Sequence, residues 1–180
     1  MERNDLDLLA AITQGDSGAF EALVDRYAMR AYRVAYRIVG RREDAEDIVQ
    51  DTLLKLWKEP WRYNALVGCA FSTWLYRVVS NTSLNCVKRR KFEFSDGCIA
   101  EETCNKSDTY QYIEILDAKN RVIGAINTLP KNQKQAINLC FYEEFTNREA
   151  AEIMNVSLLS LQSLLMRAKN NLKKQMNQKF

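Results

Sequence analysis

The chain of 180 residues has no histidine. That one absence removes the commonest general base, the Ser/His/Asp and Cys/His nucleophile arrangements and the commonest zinc ligand. Its six glycines are scattered and form no phosphate-cradling loop. Most hydrolase and nucleotide-dependent chemistry is therefore disfavoured, and the expectation is a protein that is not an enzyme. The five cysteines (Cys69, Cys86, Cys98, Cys104, Cys140) are odd in number and make no CxxC pair. Neither a disulfide framework nor a metal site is indicated, and no cofactor is expected. They read as reduced thiols of a cytoplasmic protein, with Cys98 and Cys104 the pair open to a redox role. No run of residues is long and apolar enough to span a bilayer, and the opening MERNDLDLLAAI has acids where a secretory signal needs bases. Membrane insertion is not expected.

What the chain does have is helical periodicity. Phe20, Leu23, Val24, Tyr27, Ala31, Val34 and Ile38 recur at helical spacing, with Asp16 or Ser17 to cap the start and Gly40 to stop it. A second helix over 43–58 buries Ala45, Ile48, Val49, Thr52 and Leu56 and ends at Pro60. After the loop WRYNALVGCA, a third runs from about Ser72 to Lys91, with Leu75, Val78, Val79, Thr82 and Cys86 inward. Residues 92–117 lose the periodicity and mix acidic, Ser/Thr and Gly residues, the composition of a linker. Helical spacing resumes at Val122, breaks at Leu129-Pro130 and continues through Ala136, Ile137, Cys140 and Phe141. Net charge sharpens the division: +3 over 1–91, −6 over 92–117 and +6 over 118–180. The predicted architecture is all-α: two small basic helical modules, 1–91 and 118–180, joined by a flexible acidic linker at 92–117.

The last third carries the sharpest local pattern. Thr146-Asn147-Arg148-Glu149 is a capping box, Asn155 suits a left-handed turn, and Ser157 can cap the next helix. That next helix buries Leu158, Leu161, Leu165, Ala168 and Leu172 in this reading and exposes Gln162, Ser163, Met166 and Arg167. Two short helices across a three-residue turn match the helix-turn-helix, whose second helix enters the major groove. An ordinary helical hairpin with a solvated outer face is the competing reading. Lys169, Lys173 and Lys174 suit phosphates, while Gln162 and Ser163 suit base edges.

The first module offers two more surfaces. Trp74, Arg77, Asn81, Asn85 and Lys88 fall three or four apart on one helix, with Phe71 and Arg89 beside them. Aromatic rings, amides and cations together fit an unpaired nucleic acid strand, although aromatic residues in a core would give the same spacing. On the preceding helix, Asp47, Gln50, Asp51, Leu54 and Trp57 make an acidic face with apolar members. Such a face reads as a protein-binding patch, unless Trp57 turns back into the core.

DAEDIVQDTLLKLW (44–57), FSTWLYRVVSN (71–81) and LPKNQKQAINL with FTNREAAEIMNVSLLSLQSLLMRAKNNL (129–172) together resemble bacterial RNA polymerase sigma factors of the extracytoplasmic-function group, in the sigma-70 family. The resemblance implies that Asp47, Gln50, Asp51, Leu54 and Trp57 meet the clamp of the core polymerase. It implies that Phe71, Trp74, Arg77, Asn81, Asn85, Lys88 and Arg89 recognise the promoter −10 element, with residues 61–70 helping to capture an extruded base. The −35 element, as duplex, then falls to Arg148, Gln162, Ser163, Met166, Arg167 and Lys169. Where family members often carry basic residues this chain has Gln162 and Leu164, and where they often carry Gly it has Asn155. An anti-sigma factor is implied as a further partner. A stand-alone helix-turn-helix regulator is the alternative.

Overall fold

In the computed structural model, residues 4–65, 69–93 and 122–177 are described, and among them there are helices and turns but no strand. The first element is one that sequence periodicity did not announce. Helix α1 (Asp5–Thr13) starts where the Asn4 side chain accepts from the Asp7 N–H at 2.8 Å, and it buries Leu8, Leu9 and Ile12. Asp5 ties it down, pairing with Arg26 and accepting a hydrogen bond from the Tyr27 hydroxyl. Helix α2 (Ser17–Val39) is capped by Asp16, which accepts from the Ala19 N–H, and stops at Gly40. Gly40 has φ +75°, a left-handed conformation that glycine adopts at no steric cost.

Helix α3 (Arg42–Lys58) carries Glu43 and Asp44 in its first turn, where carboxylates oppose the positive end of the helix dipole. It buries Ala45, Ile48, Val49, Thr52, Leu53 and Leu56. Pro60 opens a 3-10 turn (Pro60–Ala65) in what the sequence presents as a loop. Helix α4 (Phe71–Glu93) follows and packs on both α2 and α3. Arg90, near its end, pairs with Asp44.

The second half begins with a short helix, α5 (122–127), and then α6 (Lys131–Ile137) behind Pro130. Helix α6 runs directly into a π-helical segment at Asn138–Tyr142, a widened turn that delivers Glu143 inward. Helices α7 (Asn147–Met154) and α8 (Leu158–Asn177) complete the chain.

Two apolar clusters hold these helices. One joins α1 to Leu23 of α2, Leu56 of α3, and Phe71, Trp74 and Leu75 of α4. The other runs from Ala31, Val34, Ile48 and Val79 straight through to Phe145, Ile153, Leu161 and Ala168. The two halves therefore share one continuous core, where the sequence suggests two separately packed modules. From residue 94 the acidic linker lies outside the described residues.

Candidate nucleic-acid interface

Helices α7 and α8 meet across the turn at 155–157. Thr146 Oγ1 accepts from the Glu149 N–H at 3.3 Å, while Glu149 Oε2 accepts from the Thr146 N–H at 2.9 Å. This reciprocal box satisfies donors that the first helical turn leaves open. Asn155 then turns the chain at φ 53°, ψ 48°, and Ser157 Oγ accepts from the Ser160 N–H at 3.1 Å to start α8. Ala150, Ala151, Ile153, Leu161, Leu165 and Ala168 form the inner seam. The small alanines let the two helices approach closely, which sets the outer face of α8 away from the body.

That outer face holds Gln162, Met166, Arg167 and Lys169 exposed, with Ser163 half-buried beside them. Arg148 stands out from α7, within 3.6 Å of Glu152 in a surface pair of little strength. Lys169 lies over the Phe141 ring at 5.1 Å. Helix α8 has no acidic residue among 158–177. Leu158, expected inside, is 45 % exposed and is corrected to the surface: the inward stripe of α8 begins only at Leu161, and the helix's first turn faces outward. Leu159, which no sequence pattern singles out, is 74 % exposed on the same helix as Gln162 and Met166.

On α4 the expected stripe divides. Asn81, Asn85, Lys88 and Arg89 are exposed. Phe71 and Trp74 are not: they are 2 % and 7 % exposed and belong to the core cluster around α1. Their placement on the open face is thus corrected. The N-terminal half of α4 is enclosed by α2, α3 and the 3-10 turn, so residues at solvent-face spacing are covered there as well. Phe71, Trp74 and Tyr63 form a mutually tilted aromatic set with centroids 5.5–5.9 Å apart. The Tyr63 hydroxyl donates to the Cys69 carbonyl at 2.9 Å, and burial raises its pKa. Arg77 is half-buried, its Nε donating at 2.9 Å to the Glu152 carbonyl on α7.

Trp74 nevertheless reaches a cavity of about 280 Å³ between α3, the 3-10 turn and α4, lined by Thr52, Lys55, Leu56, Arg62, Trp74 and Val78. An indole wall with two cations at the rim can hold a planar base and its phosphate. Lys55 and Arg62 carried no pattern in the sequence; only the fold brings them together. On α3, Asp47, Gln50, Asp51 and Leu54 are exposed, Leu54 at 48 %. Trp57 is half-buried, its ring 5.1 Å from that of Phe20. Trp57 packs against the core cluster around α1, so on this face it forms the inner edge beside the exposed Leu54.

Comparison with known proteins decides the family. The sequence model of sigma-70 region 2 matches residues 23–93, and that of sigma-70 region 4 matches residues 119–172. The chain belongs to the sigma-70 family. Within that family it is similar to proteins of the extracytoplasmic-function group. It is 25 % identical to the RNA polymerase sigma factor SigW of Bacillus subtilis over 178 residues, with 92 % of each chain covered. It is 28 % identical to the sigma-E factor of Haemophilus influenzae, covering 92 % of this sigma factor and 91 % of that one. Among solved structures it is similar to the sigma factor RpoE in complex with the anti-sigma factor NepR from Bartonella quintana, with TM-score 0.68, 25 % identity and coverage of 88 % and 96 %. CnrH in complex with the cytosolic domain of CnrY gives the same TM-score of 0.68 at 21 % identity, covering 96 % and 97 %. The two matched regions coincide with the module carrying α3 and α4 and with the helix-turn-helix.

Proposed function

We propose that this sigma factor binds core RNA polymerase in the cytoplasm, reads the −35 element as duplex and the −10 element as it opens, and has no active site of its own. Asp47, Gln50, Asp51, Leu54 and Trp57 supply the polymerase contact. An acidic rim around exposed Leu54 and the edge of half-buried Trp57 suits a basic protein partner and repels DNA. Asn81, Asn85, Lys88 and Arg89 face the −10 region. The cavity at Lys55, Arg62 and Trp74 receives an unpaired base, and the energy of that capture offsets the cost of unstacking without ATP. On the −35 side, Arg148, Arg167 and Lys169 hold phosphates while Gln162, Ser163, Met166 and Leu159 meet base edges. An anti-sigma factor is the natural regulator, as for the RpoE structure.

The observation that carries this reading is the coexistence, in one chain, of an outward helix-turn-helix with an acidic-apolar α3 face. A stand-alone regulator has no use for the second. The deciding experiment is transcription by core polymerase from promoters enriched from a random library, with and without the protein. Promoter-directed transcripts are expected only with it; tight duplex binding by the protein alone, with core left inactive, refutes the assignment. Asn85→Ala should reduce permanganate reactivity of −10 thymines more than closed-complex binding.

A further inference from the structure

Leu159, Gln162 and Met166 stand at i, i+3 and i+7 on α8, which puts them on one face of the helix. All three are exposed, Leu159 at 74 % and Met166 at 62 %, and Leu158 in the same first turn adds a further exposed leucine. Single apolar side chains on a surface mean little, but several together on one short stretch mark a contact. None of the three carries charge. The cations of α8 lie beside this ridge or beyond it. Arg167 follows Met166 about 100° round the helix, and Lys173 and Lys174 come two turns later. Lys169 has its ammonium 5.1 Å from the centre of the Phe141 ring, which draws it to the flank. No acid occurs among 158–177.

In a major groove this arrangement sends the cations to the phosphates and leaves a neutral ridge facing the base edges. Guanine presents two acceptors there, N7 and O6, which arginine or lysine answers with paired donors. The ridge has neither residue. The Gln162 amide offers one donor and one acceptor, the pair that adenine N7 and its N6 amino group match. Against guanine, the amide oxygen faces a second acceptor and is repelled. Leu159 and Met166 match the methyl group of thymine. Pressed against guanine O6 or the cytosine amino group, they strip water from a polar group and return no hydrogen bond. The amide and the two apolar side chains therefore favour the same base pair.

We propose that Leu159, Gln162 and Met166 make this sigma factor a reader of A·T pairs at the −35 element. Adenine lies against Gln162, thymine methyl groups lie against Leu159 and Met166, and no guanine is read by this ridge. The proposal rests on the promoter reading above and adds to it the class of base pair. Duplex DNA is favoured over a protein as the occupant of this apolar face because the helix that carries it is basic throughout and free of acids.

The test is selection by holoenzyme, core polymerase with the full chain, from duplexes with a randomised −35 region and a constant −10 region. A·T pairs should be enriched at neighbouring positions, by about five-fold or more at the pair facing Gln162 and by about four-fold for each methyl contact. Gln162→Arg should turn one selected adenine into guanine, at a melting temperature that shows the fold intact. Leu159→Ala and Met166→Ala should each flatten the preference for thymine at one position. Selection of G·C pairs at the positions these substitutions alter overturns the proposal, as does a selected sequence that none of them changes. If Leu159→Ala weakens binding to core in the absence of DNA and leaves the selected sequence as it was, the face belongs to a protein contact and the proposal falls. Holoenzyme that enriches no −35 sequence removes the promoter reading as well, whereas enrichment of G·C pairs removes the A·T assignment alone.

Discussion

Leu161→Ala tests how the helix-turn-helix is held. Leu161 is 0 % exposed and belongs to the cluster that runs from α2 and α4 into α7 and α8. Truncating a fully enclosed leucine costs the transfer of the lost methyl groups plus the cavity left behind, about 3 kcal/mol within a range of about 2–5. For a chain of this size each kcal/mol lowers Tm by roughly 2–4 °C, so a fall of about 6–12 °C is expected. Leu159→Ala on the same helix, at 74 % exposure, should change stability by less than about 0.5 kcal/mol. Thermal melts followed at 222 nm give both values. Because the core is continuous, the whole helical signal should shift in Leu161→Ala. A drop no larger than that of Leu159→Ala refutes the seam, and a shift confined to a minor part of the amplitude refutes the shared core.

The remaining expectations are narrower. Replacing thymine by uracil in the −35 duplex removes the methyl group that an exposed leucine or methionine would contact, so it should weaken binding by holoenzyme. Leu159→Ala should abolish that difference, and equal affinities for the two duplexes in the unmodified protein would exclude the contact. Thr146→Ala removes one half of the capping box and should cost about 1 kcal/mol, read from urea denaturation; no change in midpoint would mean α7 is held without its cap. Burial raises the pKa of Tyr76 to about 12 and pushes that of Tyr27 up as well, where the Asp5 carboxylate reinforces it. Both groups keep their protons longer folded than unfolded, so their contribution is complete below pH 10 and is lost as pH rises beyond it. Absorbance at 295 nm should show two tyrosines ionising only with unfolding.

The long helices were legible because their signals are local. Periodic apolar residues, Asp16, Gly40, the Thr146–Glu149 box and Asn155 each act within one turn, and each does in the structure what its chemistry predicts. Helix α1 is not legible because nine residues give too little periodicity; it is held by Leu8, Leu9 and Ile12 packing into a cluster from α2, α3 and α4, with Asp5 reaching Arg26 and Tyr27 some twenty positions away. Phe71 and Trp74 read as open-face residues for a related reason. Spacing tells which residues share a face but not whether another element covers it, and near its start α4 has Phe71 and Trp74 covered by the cluster around α1. Arg62, Lys55 and Trp74 line one cavity without any sequence signature linking them. Glu143 and the arginines paired with it, Arg33 and Arg37, lie more than one hundred positions apart, and one acidic residue in a mixed segment gives no hint of burial.

The aromatic set beside the cavity has a practical consequence. All three tryptophans of the chain, Trp57, Trp61 and Trp74, stand within the first module, and the helix-turn-helix module has none. Trp74 is buried, Trp57 half-buried and Trp61 60 % exposed, so their emission covers three degrees of contact with solvent around one short stretch of backbone. Tryptophan fluorescence, excited selectively over tyrosine, is therefore a reporter of this module alone. An oligonucleotide matching the separated −10 strand should quench it by stacking, while a −35 duplex should leave it unchanged, with no label attached to either molecule.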